Sequence, residues 1–335
     1  MERKEVLQMQ KTILTIAVPC FNEEEVFDQT MENLRTVLCD LMGENLISEQ
    51  SQLLFIDDGS KDSTWEKIEN ATLFDPLVSG MKLSRNFGHQ RALLAGLEEA
   101  VKFSDCVISI DADLQDDTGV IREFIIQYLQ GNEIVYGVRS KRDTDTFFKR
   151  NTAQGFYRLM EKMGLSLVYN HADYRLLSKR AIEEMLRFKE SNLFLRGVVP
   201  LLGFKSTKVY YERKARAAGE SKYPFRKMIA FALDGITSFS VKPIRLITML
   251  GFLFSVISVF AGIYALVQNF MGHTESGWTS LMISVWLLGG LMLMSIGLIG
   301  EYIGKIYEEV KQRPRYIIES NLCKKVGNKS KVHSR

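Results

Sequence analysis

The chain has 335 residues, of which 46% are hydrophobic, and it is therefore long and apolar enough for one large domain and a second structural element. Its formal net charge is +3, and we expect no nucleic-acid partner. The four cysteines are scattered without a CxxC pair, so we expect free thiols. The mean hydropathy is near zero only because the apolar residues are unevenly spread. Residues 1–220 have the composition of an α/β domain, whereas residues 244–300 are strongly apolar.

Five short apolar runs alternate with longer helical patterns along the first part of the chain. This order predicts βαβ units and a mostly parallel sheet. Each run ends at charged or amide residues, and ligands of open α/β sheets bind beyond the carboxyl ends of the strands. The five polar strand ends therefore predict a shared cleft. The runs are TILTIAV before Pro19, LLFI before Asp57, MKLS before Arg85, CVISI before Asp111 and EIVYGV before Arg139.

The most acidic strand end is DADLQD, residues 111–116, which is either a solvated turn or a metal site. An EF-hand is excluded, because the sixth position of its loop needs glycine and holds Asp116. The phosphate-binding patterns GxxxxGKS/T and GxGxxG are absent, so a bound phosphate has to be held by a metal ion instead. Alternation along an extended segment puts Asp111, Asp113 and Gln115 on one side. Together with substrate phosphates, they can bind one Mg²⁺ or Mn²⁺ ion.

Two apolar stretches predict membrane-spanning helices. Residues 246–267 and 278–300 are 22 and 23 residues long and carry no charge. At about 1.5 Å per residue, each helix reaches roughly 33 Å, enough for a bilayer core of about 30 Å. The alternative is a pair of buried core helices. Basic residues flank the spans but not their connection, which places both ends in the cytoplasm: Lys242, Arg245, Lys305, Lys311, Arg313 and Arg315.

Two segments have an apolar and a basic face at helical spacing. Residues 148–164 and 223–239 each predict an amphipathic helix that either lies in the membrane interface or packs on the sheet. The second leads directly into the first predicted span, which favours the interface. Residues 212–224 are polar and predict a loop that is either a lid over the active site or a surface linker. We expect the short, basic chain after Arg315 to be disordered.

The motifs VPCFNEE, IDDGSKDST, LSRNFGHQRAL and DADLQD resemble those of family 2 glycosyltransferases with a GT-A fold. ADYRLLSKR, GESKYP and GEYIGKIYEEVKQRPRY are similar to the bacterial polyprenyl-phosphate branch, which includes undecaprenyl-phosphate glucosyl and N-acetylglucosaminyl transferases and is related to dolichol-phosphate mannose synthase. The resemblance implies a Rossmann-like GT-A domain over residues 1–220 and a juxtamembrane amphipathic helix over 221–243. Two transmembrane helices within 244–304 and a basic cytoplasmic tail over 305–335 complete the expected order.

The resemblance also implies roles for single residues. The implied donor-binding residues are Pro19, Asn22, Glu23, Asp58 and Asp111, with Asp58 at the base or ribose. The implied metal ligands are Asp111, Asp113 and Gln115. The implied acceptor-phosphate residues are Arg139, Arg150 and Ser221, and the implied catalytic residues are Asp113, Arg139, Arg150 and Asp173. An acceptor phosphate is already an anion near neutral pH, so its attack needs little or no proton removal, and a base role for Asp173 is left open.

The function implied is transfer of one hexose, glucose or N-acetylglucosamine, from a UDP-sugar to undecaprenyl phosphate. The reaction is expected to be metal-dependent and inverting, on the cytoplasmic face of a bacterial cell membrane. A homo-oligomer, often a tetramer in this family, a separate flippase and a downstream glycosyltransferase that decorates a cell-envelope polymer are the expected partners. One alternative is a processive polysaccharide synthase, which needs more spans and a Q/RxxRW signature. The other is a membrane scaffold without activity, which the intact acidic set disfavours.

Overall fold

The computed structural model describes residues 11–113, 115–139, 171–190, 195–212, 242–271 and 277–323. The chain divides into two compact units: residues 1–153, 166–222 and 314–335 form the first, and residues 154–165 and 223–313 form the second. In chain order, the elements described are β1 Leu14–Cys20, α1 Phe27–Gly43, β2 Gln52–Asp57, α2 Thr64–Phe74, β3 Val78–Leu83, α3 His89–Ala100, β4 Cys106–Ser109, α4 Ile121–Leu129, β5 Ile134–Arg139, β6 His171–Ser178, α5 Lys179–Leu186, α6 Leu195–Leu201, β7 Ser206–Tyr211, α7 Lys242–Phe270, α8 Trp278–Val310 and β8 Ile318–Asn321.

The first unit is built on one sheet with the strand order β7-β5-β6-β4-β1-β2-β3-β8. The neighbours β4, β1, β2 and β3 are parallel, and β5 is parallel to β7. Strand β6 is antiparallel to both β4 and β5, so these two strands still run in the same direction. The five strands predicted from the apolar runs are all present, and their carboxyl ends lie at one edge of the sheet.

The centre of this sheet is covered on both faces, which explains why its strands read as continuous apolar runs. All seven residues of β1 are buried. On one face, Phe27 at the start of α1 meets Phe55 of β2, with ring centroids 4.9 Å apart. On the other face, α3 approaches so closely that a Cβ on Gly96 would lie 2.6 Å from the Ile56 side chain. This close approach fixes the amino end of α3 near the carboxyl ends of the strands.

The end of the described chain corrects one expectation. We expected disorder after Arg315, but Ile318–Asn321 form the edge strand β8, antiparallel to β3. The Ser84 backbone N–H donates to the Ile317 carbonyl at 2.9 Å, and the Leu322 N–H donates to Gly80 at 2.8 Å. The physical reason is that β3 would otherwise be an edge strand with unpaired backbone groups, and a polar segment can satisfy them without an apolar side chain.

The second unit contains the two longest helices, α7 with 29 residues and α8 with 33. The predicted spans 246–267 and 278–300 fall within them. By length and composition, the segment Leu287–Val310 is the one stretch among the described residues that qualifies as a candidate membrane span. The predicted amphipathic helices at 148–164 and 223–239 lie outside the described residues, and so does the predicted lid at 212–224 apart from Glu212.

Candidate active site

A cavity of about 250 Å³ lies at the carboxyl ends of four parallel strands in the first unit. Its wall is formed by residues that follow β1, β2, β3 and β4 and by the first turn of α3. Four of the five polar strand ends predicted to share a cleft therefore do so, and Arg139, at the end of β5, is not among the residues that line it. The cavity is lined by Pro19, Cys20, Phe21, Glu23, Asp58, Asn86, His89, Ala92, Asp111, Ala112 and Asp113.

Most of the predicted donor and metal residues meet in this cavity. Five of them line it: Pro19, Glu23, Asp58, Asp111 and Asp113. Asn22 has a left-handed backbone, with φ of 55°, and its side-chain oxygen accepts the Lys61 N–H at 2.9 Å. It thus ties the end of β1 to the turn after β2, within the predicted donor-binding segment. Gln115 is buried and is not among the residues that line the cavity, and its backbone N–H donates to the Asp113 carboxylate at 3.2 Å. Its role as a metal ligand stays a prediction, and Arg150 and Ser221 lie outside the described residues.

Asp58 shapes the cavity through the backbone of the loop before α3. One carboxylate oxygen accepts the Phe87 N–H at 2.7 Å and the other accepts the Gly88 N–H at 2.9 Å. Burial raises the pKa of Asp58, and these two backbone hydrogen bonds oppose the rise. The next residue, Gly59, has φ of 69°, and a Cβ there would lie 2.4 Å from the Arg85 carbonyl carbon. The turn after β2 therefore requires glycine to pack against this loop.

Asp111, one of the predicted metal ligands in the acidic loop, lies beside His89. The Thr30 hydroxyl donates to the Ala112 carbonyl at 2.8 Å, which anchors the acidic loop to α1. His89 Nε2 lies 3.4 Å from Asp111 Oδ1 and 3.8 Å from Asp173 Oδ2. Burial raises the pKa of Asp111, the neighbouring His89 opposes the rise, and the carboxylate of Asp173 adds to it. Because these effects disfavour the ionised form of Asp111, a cation bound beside it would stabilise that form.

The donor set suits a hard cation. Among the described residues, no group of three or more His, Cys, Asp or Glu side chains forms a complete metal site. Mg²⁺ and Mn²⁺ do not require one, because one or two carboxylates plus substrate phosphates bind these ions. Asp111 and Asp113 supply two carboxylates on the cavity wall. These residues therefore fit the predicted metal ion.

Asp173 is enclosed by two arginines rather than exposed to a substrate. It is hydrogen-bonded to Arg175, which follows it on β6, and Arg196 binds it through two nitrogens at 3.2 and 2.9 Å. These guanidinium groups, with Arg175 the larger contributor, hold the pKa of Asp173 below its usual range although burial acts in the opposite direction. The carboxylate is thus ionised and a weak proton acceptor. Arg196 carries no sequence signal of its own, and it was missed because α6 packs beside β6 only in the fold.

Arg139 is bound to two residues that the sequence did not single out as partners. It ends β5, and its register partner at the end of β7 is Tyr211. The Tyr211 hydroxyl donates to Asp116 at 2.6 Å, and Arg139 donates to Asp116 and to the Tyr211 oxygen, both at 3.3 Å. Burial of Arg139 lowers its pKa, but the adjacent Tyr211 and Asp116 more than compensate and raise it overall.

An open α/β sheet that gathers carboxylates in a cavity at its parallel strand ends is a ligand-binding arrangement, and it agrees with the expected GT-A-like fold. Residues 15–186 match the family model for Glycosyl transferase family 2, and residues 242–306 match the GtrB C-terminal hairpin. The chain belongs to glycosyltransferase family 2, and the resemblance inferred from its motifs is confirmed.

Relatives match along nearly the whole chain. The uncharacterized glycosyltransferase YkoT of Bacillus subtilis is 59% identical over 94% of this chain and 94% of its own length. The bactoprenol glucosyl transferase of Shigella phage SfII is 39% identical over 92% of this chain and 98% of its own length. Among solved structures, glucosyl-3-phosphoglycerate synthase from Mycobacterium tuberculosis has 14% identity and a TM-score of 0.42, covering 68% of this chain and 78% of that one.

Proposed function

We propose that this enzyme transfers a single hexose from a UDP-sugar to undecaprenyl phosphate, with inversion, on the cytoplasmic face of the bacterial cell membrane. The proposal is carried by one observation: Asp111 and Asp113 line a cavity at the strand ends of a family 2 glycosyltransferase. The acceptor class and the choice of glucose as first donor are supported by the 39% identity to bactoprenol glucosyl transferases. N-acetylglucosamine is the second donor to test.

The metal ion, Mg²⁺ or Mn²⁺, is assigned to Asp111 and Asp113, with Gln115 as a further ligand. When bound, it neutralises charge that develops on the leaving diphosphate. Pro19, Asn22, Glu23 and Asp58 are assigned to the donor. In the described residues, Asp58 contributes by ordering the backbone at Phe87 and Gly88.

The transfer requires no proton to be removed. A bond forms between an acceptor phosphate oxygen and the anomeric carbon, the bond from that carbon to the diphosphate breaks, and UDP leaves with the electron pair. The task of the protein is to hold two polyanions in line and to offset their repulsion. Arg139 and Arg150, with Ser221, are assigned to the acceptor phosphate, since a guanidinium pairs with phosphate through two nitrogens. Asp173 is ionised and bound by Arg175 and Arg196, so we assign it the role of balancing the charge of these two arginines.

Membrane attachment by two spanning helices is part of the proposal. Large apolar side chains are exposed along α7 and α8, among them Met249, Phe252, Phe260 and Leu293. Lipid contact accounts for such surfaces better than water does. Extraction by detergent, but not by alkaline carbonate, is the expected result for an integral protein. We further propose that the protein is a homo-oligomer, with a tetramer as the first state to test. Its proposed partners are a separate flippase and a downstream glycosyltransferase that modifies an envelope polymer.

The test is a donor panel with the full chain in detergent. Undecaprenyl phosphate and Mg²⁺ or Mn²⁺ are combined in turn with UDP-glucose, UDP-N-acetylglucosamine, UDP-galactose and GDP-mannose, and the lipid product is identified by mass. One added hexose, lost on chelation and in Asp113→Ala but kept in the exposed-site control Asp40→Asn, is the expected result. Several added sugars would favour the processive synthase. No product from any donor would favour the scaffold.

A further inference from the structure

We propose that Asp116 and Tyr211 are positioning residues that hold the Arg139 guanidinium in place for the acceptor phosphate. This inference rests on the proposed function of Arg139 as an acceptor-phosphate residue. It adds two residues to the site, neither of which the sequence motifs assign to substrate or metal.

The three side chains form a closed triangle of hydrogen bonds. Tyr211 donates its hydroxyl hydrogen to Asp116 Oδ1 at 2.6 Å and accepts from Arg139 Nε at 3.3 Å. Arg139 Nη2 donates to the same Asp116 oxygen at 3.3 Å. Each member therefore contacts the other two, and the plane of the guanidinium is fixed by two contacts along one of its edges.

Burial shows which member faces outward. The side chain of Asp116 is 1% exposed, whereas that of Arg139 is 23% exposed. Tyr211 is also buried. Two of the five N–H groups of the guanidinium are used by Asp116 and Tyr211, and the proposal assigns the others to the acceptor phosphate. A fixed guanidinium with one free edge is suited to bidentate binding of a phosphate.

The cluster is poorly explained as a stabilising ion pair. Asp116 Oδ2 is buried and has no hydrogen-bond partner among the described residues. A buried carboxylate with an unsatisfied oxygen costs free energy, and buried ion pairs in general give little net stability. Alignment of Arg139 requires contacts to only one carboxylate oxygen of Asp116. It therefore accounts for an arrangement in which the other oxygen has no partner among the described residues.

The Asp116 carboxylate also belongs to the loop that carries the metal-directed residues. It follows Asp113 by three positions, within the six-residue motif that begins at Asp111. One short segment therefore lines the donor cavity at its start and anchors the acceptor arginine at its end. We infer that this loop fixes the position of the donor cavity relative to Arg139.

Tyr211→Phe is the cleanest test, because the ring itself is held independently of its hydroxyl. The Tyr211 ring packs edge-on against Tyr174, with centroids 5.3 Å apart. Loss of the hydroxyl frees one edge of Arg139, and we expect kcat/KM for undecaprenyl phosphate to fall about tenfold, the ratio set by roughly one hydrogen bond. The KM for the UDP-sugar is expected to stay at its wild-type value, and the apparent Tm to fall only slightly, because Asp116 Oδ1 keeps its contact with Arg139. Asp116→Asn should give a decrease of the same kind. Tyr128→Phe serves as the matched control, because the Tyr128 hydroxyl donates to the Asp105 carbonyl at 3.4 Å and to none of these three residues.

A double-mutant cycle separates positioning from general damage. If Tyr211 acts through Arg139, Tyr211→Phe adds no further loss in an Arg139→Ala background. Additive losses, a wild-type acceptor KM, or an equal rise in both KM values would overturn the inference. An active wild type with unaffected variants overturns only the positioning role. A wild type that forms no lipid product overturns the proposed function and, with it, the acceptor role of Arg139.

Discussion

Replacing Asp173 by asparagine removes the charge that pairs with two arginines at the centre of the catalytic domain. Arg175 is the partner that decides the size of the effect, because its side chain is 2% exposed and that of Asp173 is 7% exposed. Breaking a buried ion pair by removing one partner costs about 3–5 kcal/mol, since the other charge is left buried and unpaired. The Arg196 pair adds little, because Arg196 is 39% exposed and solvent screens such contacts.

The assay is thermal unfolding of the detergent-solubilised chain. Unfolding of such a protein is treated as irreversible, so wild type and variant are compared at one scan rate. A loss of this size corresponds to a decrease in apparent Tm on the order of 10 °C for a domain of about 200 residues. The matched control is Glu184→Gln, because Glu184 pairs with Arg187 on the exposed surface of α5, and a surface pair contributes less than about 1 kcal/mol.

The pH dependence supplies a second test with a defined sign. The arginines lower the pKa of Asp173 in the folded state, so its stabilising effect is complete above the unfolded pKa of about 4 and is lost as the pH falls towards the folded value. The difference in Tm between wild type and Asp173→Asn should therefore be constant from pH 6 to 8 and shrink below about pH 4. An unchanged Tm together with a thousandfold loss of turnover would refute this reasoning and assign Asp173 a direct catalytic role.

Three further changes test how the cavity is built. Deleting residues 314–335 removes β8 from the sheet edge, and we expect a lower Tm and a higher donor KM than in the control that lacks only residues 324–335; equal behaviour would show that β8 is dispensable. Gly59→Ala forces a Cβ to within 2.4 Å of backbone at a φ of 69°, so it should lower the Tm, whereas the control Gly43→Ala, with nothing within 4 Å, should change it little. Asp58→Ala leaves two backbone N–H groups without their acceptor, at a cost of roughly 2–4 kcal/mol. It should lower the Tm and weaken donor binding together, and a loss of binding at constant Tm would instead favour direct contact of Asp58 with the donor.

The parallel part of the fold could be predicted because each central strand is buried on both faces. Apolar runs identified β1 to β5, and their polar ends predicted the cavity. Strand β6 was not predicted, since HADYRLLS contains charged residues. Those charges are buried only because Asp173 and Arg175 pair with each other in the fold. Strand β8 was not predicted either, because its sequence IESN is polar and its stability comes from backbone pairing with β3.

The same distinction applies to the site. Asp111 and Asp113 could be found from sequence because they closely follow β4, whose carboxyl end lies at the cavity. Asp116 lies in the same motif, but its partners Arg139 and Tyr211 are 23 and 95 residues away. Contacts of this range are set by the strand order, in which β7 lies beside β5 and β6 separates β5 from β4. The identity of the residues that support a functional side chain therefore required the structure.

In the proposed function, the joining of two phosphate-bearing substrates poses opposite electrostatic demands within one domain. The donor diphosphate requires a cation, and carboxylates are needed to bind that cation. The acceptor phosphate requires a guanidinium. A carboxylate beside the guanidinium aligns it but also reduces its attraction for the phosphate. The 111–116 loop places Asp111 and Asp113 on the cavity wall and turns Asp116 into the interior, where one oxygen binds Arg139 and Tyr211. Because Asp116 is buried, its negative charge lies against the inward edge of the Arg139 guanidinium. In the proposed function, the opposite edge of the guanidinium is left to attract the acceptor phosphate.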